Sequence, residues 1–143
     1  MDGLALESQK VSSLSDPDVR ELLEEPNHAV VSTHDRDGSI HSTIIWIALE
    51  NEAAVSINSA VGRRWPTNLE RDPRVTLLVY ETNDPYHFVE IRGTAKGTTK
   101  GADEHIDLLS KKYTGQDWSQ SRRPSEQRVK FVVTPQRVRV VNQ

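Results

Sequence analysis

Between residues 28 and 98 the sequence keeps returning to short runs rich in Val, Ile, Thr, Tyr and Phe, each closed by a turn signal. "HAVVSTH" runs into "DRDG", and "SIHSTIIWIAL" runs into "ENE". "AAVSIN", "RVTLLVYE" and "YHFVEIRGTAKG" follow, and "RVKFVVTPQRVRVV" comes later. Runs of this length and composition are strands, and turn residues between them make hairpins. Closely spaced strands joined this way predict an antiparallel barrel rather than a parallel sheet.

Three segments carry helical spacing instead. In "SDPDVRELLEEP", Ser15 is placed to cap, Asp18 follows three positions on, and Pro26 stops the helix. Its apolar stripe is Leu14, Val19, Leu22 and Leu23. "PTNLERD" predicts one or two helical turns ended by Pro73. In "ADEHIDLLSKKYTG", Ile106, Leu109 and Tyr113 recur at helical spacing, lysines fill the last turn, and Gly115 follows as the cap. "QDWSQSRRPSEQ" reads as a polar loop. "SIHSTIIWIAL" reads as one strand, with Ile40, Ser42, Ile44, Trp46 and Ala48 on one face and His41, Thr43, Ile45, Ile47 and Leu49 on the other. Gly93 marks a bulge, and Pro135 is expected to split the last run into two strands. Residues 1–14 are expected to be a flexible arm and 15–143 a single domain.

A chain of 143 residues buries about 68–70% of its unfolded surface, enough for a real core. The net charge of −3 argues against general nucleic-acid binding, which calls for a basic balance. With no cysteine, disulfides, thiolate nucleophiles and Cys-based zinc sites are excluded. The N-terminal stretch lacks the long apolar run of a signal peptide, and no segment has the length of a membrane span. The expected location is the cytoplasm, with no membrane partner.

No Gly-rich phosphate loop, H-E-x-x-H or G-x-S-x-G motif is present. Five histidines are scattered through the chain. His34 and His41 flank the first hairpin, where a metal site is conceivable, but two strand histidines facing solvent or a partner is the reading taken, so no metal is expected. No nucleophile–base pair stands out. Any redox chemistry would therefore belong to a bound cofactor.

The stretch "NSAVGRRWPTNLERDPRVTLLVY" sets Arg63, Arg64 and Trp65 side by side in a loop between strands. Guanidinium forks suit a phosphate, and backbone N–H groups at the start of the following helix would add to the attraction. The alternative is a solvated loop with no ligand. Trp65 either stacks on a ring or packs under the loop.

The order of these elements, with the pattern R-x-x-x-x-N-L-x-R-D-P-R-V (Arg63, Asn68, Leu69, Arg71, Asp72, Pro73, Arg74, Val75) and "IRGTA" (Ile91 to Ala95), resembles the split β-barrel flavin-binding superfamily. That superfamily includes the pyridoxamine-phosphate-oxidase-like proteins, and the Arg-Arg block is most similar to its branch that uses the deazaflavin coenzyme F420. The resemblance implies a split barrel of about six to seven strands, Greek-key type, with two to three short flanking helices. It implies a homodimer with cofactor sites at the subunit interface. It places the cofactor phosphate by Asn58, Arg63, Arg64 and Trp65, where many relatives have a lysine at the position of Trp65. It places the ring system by His41, Ser42, Thr43, Ile44 and Trp46. Asn68 is expected to order the loop, and Trp46 and Tyr86 to line the substrate side or the core. His41 is the one named candidate for proton delivery, its alternative a simple ring contact. The implied activity is hydride transfer from reduced F420 to an electron-poor unsaturated organic substrate. The alternatives are an FMN-dependent oxidase or reductase, or a non-catalytic flavin-binding or deazaflavin-binding protein.

Overall fold

The computed structural model describes residues 9–118 and 125–142. The strands are β1 (Gln9–Ser12), β2 (Ala29–His34), β3 (Ile40–Ile45), β4 (Ala48–Asn51), β5 (Ala54–Ala60), β6 (Arg74–Glu81), β7 (Asp84–Thr98) and β8 (Arg128–Asn142). The helices are α1 (Pro17–Glu24), α2 (Arg64–Arg71) and α3 (Ala102–Thr114). The strands form one antiparallel sheet in the order β3-β2-β6-β7-β8-β5-β4, with β1 added on β8. Its two edges, β3 and β4, are consecutive in the chain yet not bonded to each other, so the sheet curls without closing. This is the split barrel, with eight strands where six or seven were expected.

The core lies inside the curl. Val31, Leu77, Val89, Ile91, Ile57, Val133 and Phe131 fill it, closed by Val19, Leu22 and Leu23 of α1 and by Trp65 and Leu69 of α2. Each such side chain contributes about 1.5–3 kcal/mol on burial. The stripe of α1 is buried as its spacing predicts. Its cap is Asp16 rather than Ser15: the Asp16 carboxylate accepts from the Asp18 N–H at 2.9 Å, and Pro17 takes the first helical position. β5 is buried along its whole length because both faces are covered. Val55 and Ile57 face the core, while Ser56 and Asn58 bond to His105 of α3.

Three further expectations change. "SIHSTIIWIAL" is not one strand: pairing with β2 ends at Ile45, and Ala48 onward pairs with β5. At the break, α3 side chains take over the backbone bonds of Ile47. Its N–H donates to Tyr113 Oη at 3.2 Å, and its carbonyl accepts from Lys112 Nζ at 2.7 Å. The last run is one strand, β8, not two. Gln136 is bulged out between the pairs Arg92–Arg137 and Gly93–Pro135, so Pro135 sits where the ladder is already irregular. The bulge is on β8, opposite Gly93, and a Cβ at Gly93 would lie 2.2 Å from the Thr134 carbonyl oxygen. Lastly, part of the expected arm is ordered: Gln9–Ser12 pairs with Val141–Val138. The rest of that arm, residues 1–8, and residues 119–124 of the expected polar loop lie outside the described residues.

Candidate functional site

Where the sheet fails to close, β3, the end of β5, the start of α2, α3 with Trp118 beyond it, and the first residue of β8 surround an open cavity of about 540 Å³. That volume is within the usual range for a small-molecule site. Of the sequence candidates, His41, Thr43, Ile44, Trp46, Asn58, Arg63, Arg64 and Trp65 all line it. Ser42 does not: its hydroxyl bonds Ser32 Oγ on the paired strand β2 at 2.8 Å. Tyr86 is exposed in the β6–β7 turn region, away from the cavity.

The wall has two chemical ends. One is apolar and aromatic. Trp46 stacks on Tyr113 at 5.3 Å between ring centroids, and Trp118 meets Trp46 edge-on at 6.0 Å. Ile106 and Leu109, spaced three apart on α3, complete this side. The other end holds three guanidinium groups, those of Arg63, Arg64 and Arg128.

Each arginine is held differently. Arg64, largely exposed, makes a two-pronged pair with Asp35, Nε to Oδ1 at 3.0 Å and Nη2 to Oδ2 at 2.6 Å. Arg64 foremost, then Asn68, holds the Asp35 carboxyl well below the usual range. Asn68 is buried and donates to both Asp35 Oδ1 (2.9 Å) and Thr33 Oγ1 (3.1 Å), which fixes the first hairpin to α2. Arg63 is also exposed, and its Nη2 donates to Glu126 Oε1 at 2.8 Å. It follows Gly62, whose φ of +94° is a turn conformation that favours glycine.

Arg128 is the buried one, with 4% of its side chain exposed. Its Nε donates to Asn58 Oδ1 at 3.0 Å, and its guanidinium lies 5.1 Å from the Trp118 ring centre. Its Nη1 stands 3.0 Å from Glu126 Oε2, but the two are not aligned as a hydrogen bond. Burial pulls the Arg128 pKa down, opposed by Glu126. Sequence reading passed over Arg128 as the first residue of a strand, and over Trp118 as part of a polar loop. The lone Trp in that polar stretch was the available signal.

Asn58, expected at the phosphate, is committed to the protein. Its amide donates to the Ala102 carbonyl (3.0 Å) and to His105 Nδ1 (2.9 Å) while its oxygen accepts from Arg128. The network assigns the His105 proton to Nε2, which donates to Ser56 Oγ at 2.8 Å. Burial foremost lowers the His105 pKa to about 4, so the ring is neutral at pH 7. Trp65 packs under the loop: it is buried, with its ring 5.5 Å from Phe131, and only borders the cavity. Among the described residues, no group of three His, Cys, Asp or Glu is placed to hold a metal ion. No described helix is long and apolar enough to cross a membrane.

A basic end next to an aromatic and aliphatic wall is the donor set that a phosphate-bearing ring cofactor requires, so the residues fit such a group. A family model described as pyridoxamine 5'-phosphate oxidase matches residues 15–142. Among solved structures, one described as an F420 reductase superposes with a TM-score of 0.72 at 23% identity, covering 83% of this chain and 94% of that one. A conserved hypothetical protein from Mycobacterium tuberculosis superposes with a TM-score of 0.74 at 19% identity, covering 90% and 84%. These likenesses concern the fold. No curated protein matches the sequence.

Proposed function

This chain belongs to the pyridoxamine 5'-phosphate oxidase family, and from that premise we propose that it is an oxidoreductase binding reduced coenzyme F420 for hydride transfer to an electron-poor unsaturated organic substrate. The observation that carries the reading is the two-ended cavity, with guanidinium groups at one end and stacked aromatics at the other. The F420 reductase among the structural neighbours supports the choice of deazaflavin. When bound, the cofactor supplies the hydride.

The protein's part is binding, orientation and exclusion of water. Arg63 and Arg128 hold the phosphate, with Arg128 kept in place by Asn58 and Glu126. The β3 residues His41, Thr43 and Ile44 border the ring, and Trp46 and Trp118 wall it in. Ile106 and Leu109 keep that end dry, where electrostatic interactions are stronger than in water. His41 and His28 are the histidines on the wall, and a proton for the reduced product comes from His41 or from solvent. We further propose that the working unit is a cytoplasmic homodimer. β3 is an edge strand with Ile40 and Ile44 exposed on one face, an apolar strip that a second copy would cover.

Titration with F420 and FMN side by side, read by fluorescence, tests the cofactor. The expected result is tighter F420 binding and turnover of a dye or quinone with the reduced form. Tight FMN binding with no F420 binding transfers the reading to an FMN enzyme. Binding without turnover leaves a carrier or sensor.

A further inference from the structure

Resting on the reading that a phosphate-bearing cofactor occupies the cavity, we infer that Glu126 sets the charge of the phosphate the site accepts, favouring a singly charged diester over a doubly charged monoester. The Glu126 side chain is only 9% exposed and lies between two of the cavity's three arginines. One oxygen is 2.8 Å from Arg63 Nη2 and the other 3.0 Å from Arg128 Nη1. The third arginine, Arg64, is already matched by Asp35. Three guanidinium groups in contact with two carboxylates leave one net positive charge. Farther off, Asp103 acts on Arg128 and Asp37 on Arg64, while Lys100 shares a pocket with Glu126, Asp103 and Arg128 and offsets part of that negative charge.

Glu126 is not itself on the cavity wall, but a phosphate bonded to Arg63 and Arg128 lies one guanidinium away from its carboxylate. The phosphate's first negative charge meets the uncompensated cation. A second finds none of the three described guanidinium groups unmatched and is repelled by Glu126. A phosphate diester carries one negative charge at neutral pH, whereas a terminal monoester carries about 1.5 to 2. F420 joins its tail through a diester, and FMN ends in a monoester, so Glu126 discriminates between the two cofactors of this fold by charge.

The test compares FMN with its monomethyl phosphate diester, which keeps the ring and ribityl chain and changes only the phosphate charge. Dissociation constants are read by flavin fluorescence in the wild type and in Glu126→Gln. The wild type should favour the methyl diester by about threefold or more. Glu126→Gln should tighten FMN about tenfold, and the diester by less than about threefold, reversing the preference. An unchanged ratio of the two constants overturns the inference, and so does failure of both esters to bind either protein at millimolar concentration. Asp35→Asn, at an exposed pair, should shift the ratio in the same direction by a smaller factor, and it decides the matter if Glu126→Gln does not fold. A parallel F420 titration keeps the two readings apart. F420 binding with an unchanged ester ratio removes only the role of Glu126, and a shifted ratio without F420 binding removes only the deazaflavin reading.

Discussion

Asn58 Oδ1 accepts from Arg128 Nε at 3.0 Å, so the buried guanidinium at the cavity is aimed by an amide whose N–H groups are both taken, by the Ala102 carbonyl and His105. Both side chains start from the same face of neighbouring strands: Asn58 pairs with Lys130, and Arg128 stands two residues before it. Asn58→Ala should cost about 2–4 kcal/mol in urea unfolding, since it strands the Arg128 Nε and the Ala102 carbonyl away from water. It should weaken cofactor binding as well. Unchanged binding in a folded Asn58→Ala protein would count against Arg128 as a ligand residue.

Arg63 and Arg64 are adjacent but should behave differently. Arg63→Ala is expected to raise the cofactor dissociation constant about 10- to 100-fold, the worth of one hydrogen bond to a charged group. Arg63→Lys should recover only part of this, because an ammonium cannot give a two-pronged contact. Arg64 is tied to Asp35 in an exposed pair, so Arg64→Ala should change binding by less than about threefold. Melting temperatures without cofactor should be nearly unchanged in both alanine variants. Equal binding losses in the two would remove the distinction drawn here.

Acid should loosen the α3 side of the molecule. The folded pKa of His105 lies near 4, below its ordinary value of 6.5, because burial penalises the charged ring. The unfolded chain therefore binds more protons between those values. Its contribution is fully present above pH 6.5 and is lost as pH falls toward 4, a total of about 2–3 kcal/mol. Denaturant midpoints measured from pH 7 to pH 4 in the wild type and in His105→Gln should converge at the acid end. Parallel curves would rule out His105 as the source.

Ile40→Glu tests the second copy. Light scattering at micromolar concentration should give a dimer for the wild type and a smaller species for the variant, with the fold intact by circular dichroism. A wild-type monomer would remove the edge of β3 as an interface.

Strands were legible in the sequence because their period of two is written in consecutive residues. Helix α1 was legible for the same local reason, through Val19, Leu22 and Leu23. The break after Ile45 was not, because alternation continues through Trp46 and Ile47. What ends the strand there is Tyr113, 66 residues away, taking the Ile47 N–H. Pro135 gave the opposite error. The expected split into two strands does not occur, because the bulge beside Pro135 keeps β8 whole. At the site, Arg63 and Arg64 could be found from their loop and its family pattern. Arg128 could not, since a charged residue opening a strand reads as exposed until Asn58, 70 residues away, and Trp118 are brought around it beside its near neighbour Glu126. Asn58 lines the cavity, yet its three partners leave it supporting an arginine instead of reaching for a ligand itself.

β8 pairs with β5 and β7 along its first half and with β7 and β1 along its second. It follows all three in the chain, so during synthesis β5 and β7 wait for a neighbour that has not yet been made. Most of the sheet's long-range pairing is deferred to that moment, which places folding in the slow, millisecond-to-second regime of non-local β topologies. A nascent chain halted before residue 128 would present two apolar, half-paired strands to whatever is nearby, the condition under which sheets aggregate or recruit chaperones.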